Sequence, residues 1–132
     1  MVTHCQRESP REACGILAGR AEPRVDVFYP LRNELASSTR YQADPVDLIA
    51  AIQDMRLEGL GMLALYHSHP HSSAIPSRVD LELNMYGPMP RIIISLNSRI
   101  PEVRIWRLEP DYFEELPWRL LQPAVESGRY KI

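Results

Sequence analysis

The sequence predicts a single domain of mixed α and β structure, and three observations support this fold class. Short apolar runs next to glycine residues predict buried strands, and a run that begins at Asp44 has apolar residues at helical spacing. No repeat, low-complexity tract or long linker divides the 132 residues. A chain of this length buries about two thirds of the surface that its unfolded form exposes, so we expect one core for residues 1–132.

The N-terminal third predicts one helix and a β-hairpin. A short helix from Val2 to about Ser9 ends before Pro10, because the residue before a proline is disfavoured in the helical conformation. The apolar run 14–18 and the alternating stretch 25–31 are each typical of a strand, and together they predict a hairpin. Residues 39–43 are predicted as a further short strand.

The middle of the chain predicts a longer helix followed by a buried strand. Asp44 is an expected N-cap, Pro45 suits the first helical position, and Gly59 is an expected stop. The apolar residues of this helix recur at helical spacing: Val46, Ile49, Ala50, Ile52 and Met55. The next apolar run, 61–67, is too short for a helix between its flanking residues and is therefore predicted to be a buried strand.

The C-terminal half predicts one more helix and two more strands. The helix begins at Pro76 and Ser77 and extends to about Met85, and the strands cover residues 91–96 and 103–108. The remainder to Ile132 is interrupted by prolines, and no element is predicted there.

Composition and charge exclude several classes of function. The formal net charge is -2 and no run of five or six like charges occurs, so we expect binding to neither nucleic acid nor an anionic membrane. No apolar run approaches the roughly 18 residues that span a bilayer, and the N-terminus lacks the apolar core of a signal peptide. Cys5 and Cys14 do not form a C-x-x-C pair, and free thiols are expected over a disulfide. These features predict a cytoplasmic protein.

One pattern of polar residues predicts a metal centre. His67 and His69 are two apart in a strand, so both imidazoles project to one face and can reach one ion at about 2.0–2.1 Å. Ser77 and Asp80 follow in the first turn of the predicted helix, where Asp80 can be the third ligand. Two histidines and one carboxylate leave the fourth tetrahedral position open, which is typical of catalytic zinc. Glu12 is the candidate general base.

Each of these residues also has an ordinary structural interpretation. Ser77 and Asp80 alone resemble a capping box, the two histidines alone are typical polar residues at a strand end, and Glu12 alone is typical of a solvated surface. The combined spacing H-x-H-x7-S-x-x-D, however, arises by chance only about a few times in ten thousand such chains. The other candidates, His4, His71 and Cys14, are expected to be structural or surface residues.

Several segments resemble the JAMM/MPN+ metallopeptidases. The segments that carry the resemblance are EACGILAG at 12–19, HSHP at 67–70 and PSRVD at 76–80. Residues 33–45 and 92–96 also resemble the bacterial branch that trims the C-terminus of ubiquitin-like sulfur-carrier proteins. The resemblance extends over roughly residues 10–107.

The resemblance implies a fold, a cofactor and a substrate. The implied fold is the cytidine-deaminase-like MPN fold, a curved and mostly antiparallel sheet flanked by helices. The implied site has Zn2+ on His67, His69 and Asp80, with Glu12 as general base and acid and Ser77 as oxyanion donor. The implied substrate is the Gly-Gly-like C-terminal tail of a small ubiquitin-like protein. The alternatives are a peptidase for a phage-tail or cell-wall substrate and a non-catalytic MPN scaffold.

Overall fold

One six-stranded sheet forms the centre of the molecule. The computed structural model describes residues 1–84 and 86–121. In chain order the elements are α1 (Val2–Glu8), β1 (Cys14–Gly19), β2 (Val27–Leu31), α2 (Pro45–Glu58), β3 (Gly61–His69), α3 (Arg78–Glu82), β4 (Arg91–Ser95), β5 (Glu102–Leu108) and β6 (Phe113–Leu116). The strand order is β2-β1-β3-β4-β5-β6, and only the β3–β4 pair is parallel. The predicted mixed fold class and mostly antiparallel sheet are confirmed.

Alternating side chains give the sheet two buried faces. On one face Leu17 and Tyr66 pack with Cys5 of α1. On the opposite face Ile16 and Leu65 pack with Met55 of α2. The central strands are therefore covered by helices on both sides, which explains why β1 and β4 are buried along their whole length.

Helix α2 has the predicted boundaries. The Asp44 carboxylate accepts hydrogen bonds from the backbone N–H groups of Val46 (2.9 Å) and Asp47 (3.1 Å). Gly59 ends the helix in the left-handed conformation, with φ of 68°. The predicted cap residues at both ends are confirmed, as is the hairpin of β1 and β2.

The predicted strand at residues 39–43 is wrong. Only an isolated bridge between Asn33 and Ala43 forms there. The Asn33 side chain replaces a strand ladder: its Oδ1 accepts from Leu35 N and Gln42 N, and its Nδ2 donates to Arg40 O and Glu12 O. These local bonds satisfy the backbone of a loop and tie that loop to β1.

The second predicted helix is shorter than the sequence pattern suggested. Helix α3 covers Arg78–Glu82, with Leu83 as its C-cap. The apolar residues that predicted a longer helix, at 79, 81, 83 and 85, are two apart and cannot share one helix face. The predicted end at Met85 lies outside the described residues.

The C-terminal region adds a strand for which the sequence analysis made no prediction. Strand β6 pairs with β5, and two cross-strand ion pairs, Arg104–Glu115 and Arg107–Glu114, accompany the pairing. The predicted domain extends to Ile132, beyond the described residues. In the described part of the chain, no helix is long and apolar enough to cross a membrane.

Candidate metal centre

The two predicted histidine ligands lie at the end of the central strand. Strand β3 continues two residues past its predicted end and includes both His67 and His69. Their side chains project to the face that α2 covers, because β3 alternates and Leu65 already faces α2. His67 is 1% exposed and His69 is 3% exposed. The two imidazoles thus lie side by side in a site from which solvent is almost excluded.

Helix α3 positions the third predicted ligand through a capping box. Ser77 Oγ accepts a hydrogen bond from Asp80 N (3.1 Å), and Asp80 Oδ2 accepts one from Ser77 N (2.8 Å). The structural interpretation of Ser77 and Asp80 is therefore correct, and it is compatible with the metal-ligand interpretation. The cap holds the Asp80 carboxylate in the orientation that faces both histidines.

The spacing of the three side chains suits a small tetrahedral ion. His67 Nε2 is 3.2 Å from His69 Nε2 and 3.1 Å from Asp80 Oδ1, and His69 Nε2 is 3.2 Å from Asp80 Oδ2. A tetrahedron with zinc–ligand distances near 2.0 Å has edges of about 3.3 Å. The ligand atoms of all three residues lie within 4.8 Å of one another. The residues present therefore fit a zinc ion.

The hydrogen bond on the other ring nitrogen sets the tautomer of His69. His69 Nδ1 is 2.8 Å from the carbonyl oxygen of Ser73. Because a carbonyl only accepts, Nδ1 carries a proton, which leaves Nε2, the nitrogen that faces His67 and Asp80, as the one that would coordinate a metal ion. This is the arrangement that a metal-binding histidine requires.

The charges of the cluster are strongly coupled. Burial acts to raise the pKa of Asp80, but hydrogen bonds and attraction from the two imidazoles outweigh it and hold that pKa well below its ordinary value. Burial lowers the pKa of His67. Burial also acts to lower the pKa of His69, but the hydrogen bonds that its ring donates to the Asp80 carboxylate and the Ser73 carbonyl outweigh it, and the pKa is raised. Asp80 is thus ionised and available as a ligand.

Glu12 lies beside the cluster because of the pairing between β1 and β3. Cys14 is opposite His67, and Ser68 N donates to Ala13 O, so the same register brings Glu12 next to His69. Directly opposed residues share a face, which places Glu12 on the face of the histidines. Glu12 is 4% exposed, and burial raises the pKa of its carboxyl to about 8. It does not belong to the three-residue ligand group.

The residues expected to be structural or on the surface lie outside the cluster. His71 is exposed, and His4 is hydrogen-bonded through Nδ1 to the hydroxyl of Tyr66 on the other face of the sheet. Cys5 and Cys14 are free thiols that belong to the cores on opposite faces. The structure thus places His4, His71 and Cys14 as structural or surface residues, as predicted.

Two residues near the site were missed by sequence reasoning. The Tyr41 ring stacks on the His67 imidazole, with centroids 4.7 Å apart and an interplanar angle of 24°. Arg91 Nη1 donates to the Tyr41 hydroxyl (3.2 Å). Tyr41 lies in the loop that was predicted to be a strand, and Arg91 is the first residue of β4, so no local pattern connects either residue to His67.

Comparisons with known proteins identify relatives along most of the chain. A family model described as prokaryotic homologs of the JAB domain matches residues 1–109. A "probable TtuB-protein conjugate cleaving protease" from Thermus thermophilus is 45% identical over 80 residues, 60% of this chain and 53% of that protein. The CysO-cysteine peptidase of Mycobacterium tuberculosis is 30% identical over 126 residues, 92% of this chain and 85% of the peptidase. A desampylase from Haloferax volcanii is 30% identical over 70% of this chain and 68% of its own length.

Solved structures show the same fold. The solution structure of a protein from Desulfitobacterium hafniense has a TM-score of 0.85 and 31% identity, and the match covers 99% of this chain and 92% of that one. The crystal structure of a JAB1/MPN domain protein from Archaeoglobus fulgidus has a TM-score of 0.58 at 19% identity, covering 92% of this chain and 90% of that one. The second likeness concerns the fold alone.

Proposed function

The chain belongs to the prokaryotic branch of the JAB (JAMM/MPN) domain family, and from this premise we propose that it is a zinc-dependent peptidase. Its proposed substrate is a small ubiquitin-like sulfur-carrier protein, and the proposed reaction is hydrolysis of the amide or isopeptide bond that follows the Gly-Gly-like C-terminal tail. The names of the relatives support this substrate class, since they describe a protease for TtuB conjugates, a peptidase for CysO-cysteine and a desampylase. The chain spans about half of the first of these proteins, so the substrate is inferred from a shared domain.

The observation that carries the proposal is the convergence of His67, His69 and Asp80. Two imidazole nitrogens and a carboxylate lie 3.1–3.2 Å apart in pairs, and all three residues are nearly buried. Three protein ligands with an open fourth position are typical of catalytic zinc sites, whereas structural zinc sites are closed by four. Zinc, when bound, would polarise the scissile carbonyl and lower the pKa of a water molecule, so that a nucleophilic hydroxide is available at neutral pH.

Glu12 is suited to move the proton in this reaction. In the metal-free chain, burial raises the pKa of the Glu12 carboxyl, which moves its proton exchange from the acidic range toward neutral pH. It would accept a proton from the attacking water and donate it to the departing amine. In the proposed mechanism the same residue therefore acts first as base and then as acid.

Ser77 is the proposed donor to the oxyanion. Its Oγ accepts from Asp80 N, and this bond leaves the hydroxyl proton free to be donated. The N–H group of Asp80 orients the hydroxyl, and the turn that orients it also presents the Asp80 carboxylate to the histidines. The hydroxyl would stabilise negative charge on the carbonyl oxygen during attack.

The proposed tail lies extended beside the site, where main-chain hydrogen bonds supply affinity. The test is incubation of the purified protein, loaded with zinc, with a ubiquitin-like carrier that ends in Gly-Gly followed by one more amino acid. Mass spectrometry is expected to show loss of that amino acid, and a chelator is expected to prevent it. Glu12→Gln is expected to retain zinc and lose activity, and Asp80→Ala is expected to lose both.

A matched control is Glu8→Gln, which makes the same chemical change at a solvent-exposed pair with Arg11. It is expected to leave both zinc content and cleavage unchanged. Protein that folds correctly but binds no zinc would support the non-catalytic scaffold instead. Zinc-loaded protein that leaves every carrier intact would favour the phage-tail type of substrate, since a tail tip assembly protein of Escherichia phage N15 is 35% identical over 61% of this chain and 30% of its own length.

A further inference from the structure

We propose that Tyr41, held in place by Arg91, is the positioning residue that orients His67 as a metal ligand. The inference rests on the metal site of the proposed function. In this proposal, stacking on Tyr41 orients the His67 ring, whereas a hydrogen bond to the Ser73 carbonyl orients the ring of the neighbouring ligand, His69. Nothing in the H-x-H spacing of the sequence indicates this role.

The two histidines differ at the ring nitrogen that faces away from the cluster. His69 Nδ1 donates to the Ser73 carbonyl at 2.8 Å. His67 Nδ1 is buried and, within the described residues, has no hydrogen-bond partner. Metal-binding histidines generally use this second nitrogen to set the tautomer and the ring angle. His67 therefore needs another source of orientation.

Tyr41 supplies a flat surface for the imidazole of His67. The two rings are stacked, with centroids 4.7 Å apart and an angle of 24° between their planes. A stacked neighbour restricts rotation of the imidazole about the bond to its Cβ atom, which is the motion that would move Nε2 away from Asp80 Oδ1. The stack therefore acts on the same degree of freedom that a hydrogen bond to Nδ1 would control.

Arg91 keeps the tyrosine ring in this position. Arg91 Nη1 donates to the Tyr41 hydroxyl at 3.2 Å, and Nη2 donates to Asn84 Oδ1. The guanidinium also lies 5.3 Å from the centroid of the Tyr86 ring. Arg91 is 4% exposed, and none of the ion pairs among the described residues includes it. A buried cation whose partners are all neutral is costly, which points to a specific task at this position.

The sheet explains how residues so distant in sequence meet. Strand β4 is parallel to β3, and Arg91 is opposite Leu65, two residues before His67. Arg91 is therefore on the same face as His67, one strand away and two residues further from the strand end. The loop that Asn33 holds against β1 places Tyr41 across the space between them.

The experiment is a measurement of zinc affinity by competition with a chromophoric chelator. Tyr41→Leu removes the stack and is expected to weaken zinc binding about 10- to 100-fold, the range seen when groups that orient metal ligands are lost. Tyr41→Phe keeps the ring and is expected to weaken binding less. The d–d absorption of the cobalt-substituted protein is expected to change in Tyr41→Leu, since it reports ligand geometry and is insensitive to global stability.

Tyr29→Leu is the matched control. Tyr29 is also half-buried and hydrogen-bonded through its hydroxyl, to Asp54 at 2.6 Å, but it stacks on no metal ligand. Its zinc affinity and cobalt spectrum are expected to match the wild type. Equal affinities in Tyr41→Leu and Tyr29→Leu would overturn the inference.

A double-mutant cycle keeps the inference testable if Tyr41→Leu does not fold. Tyr41→Phe and Arg91→Met each remove one end of the same hydrogen bond, so each is expected to weaken zinc binding and the pair is expected to weaken it by less than the product of the two effects. Independent effects, or none, would overturn the inference. Wild-type protein that binds no zinc would instead refute the proposed function, so the two failures are distinguishable.

Discussion

Glu12 provides a test of the site's electrostatics that needs neither metal nor substrate. Burial raises the pKa of its carboxyl from 4.5 to about 8 in the folded chain. The folded state therefore binds this proton more tightly than the unfolded state does. The resulting contribution to stability is fully present below pH 4.5 and is lost as the pH rises through about 8.

The magnitude of the effect follows from the interval between the two pKa values. That interval is about 3.5 pH units, and at about 1.4 kcal/mol per unit it sets an upper limit of about 5 kcal/mol. Glu12→Gln removes the titration and leaves a neutral side chain of the same shape. We expect the metal-free variant to match the wild type near pH 4.5 and to be about 2–5 kcal/mol more stable at pH 9.

Urea unfolding in the presence of a chelator, at several pH values from 4.5 to 9, measures this difference. Only the difference between variant and wild type is compared, because other groups also titrate over this range. Glu8→Gln, at an exposed position, is expected to show no growth of the difference with pH. A difference between Glu12→Gln and wild type that is the same at pH 4.5 and pH 9 would refute the reasoning.

Three further predictions concern Asp80, Ser77 and Gly15. In the metal-free protein, NMR titration should show a pKa above 6.5 for His69 and below 6.5 for His67. Asp80→Asn should lower the pKa of His69, because its main hydrogen-bond partner loses its charge, and an unchanged His69 pKa would contradict this. Ser77→Ala should retain zinc but lower turnover about 100- to 1,000-fold. Ser98→Ala, which removes an exposed hydroxyl, should leave turnover unchanged, and equal turnover in the two variants would refute the oxyanion role of Ser77. Gly15→Ala would place a Cβ 2.2 Å from Cε1 of the fully buried Tyr66 and should lower the free energy of unfolding by about 1–3 kcal/mol or more. Gly61→Ala, whose added Cβ would have its nearest neighbour 3.9 Å away, should change that free energy little. Urea unfolding measures both variants, and equal losses of stability would contradict the packing argument.

Local patterns along the chain were sufficient for the elements that depend on nearby residues. The helix from Pro45 to Glu58 begins and ends as predicted, because an Asp side chain caps its first turn and a glycine accommodates the left-handed conformation after its last. The strand 61–67 was predicted from its apolar run, and the histidines follow on one face because strand side chains alternate. The Ser77–Asp80 turn was also predictable, since a capping box involves residues only three apart.

The sequence by itself determined which residues have metal-binding chemistry and which short segments present them. Only the tertiary structure decided that β1 lies antiparallel to β3, so that Glu12 comes beside His69, and that Asn33 bonds turn a predicted strand into the loop carrying Tyr41. The physical reason is the separation along the sequence between the residues that interact. Caps, turns and alternation are set by contacts within a few residues, whereas strand order and the stack of Tyr41 on His67 depend on burying both faces of the sheet at once.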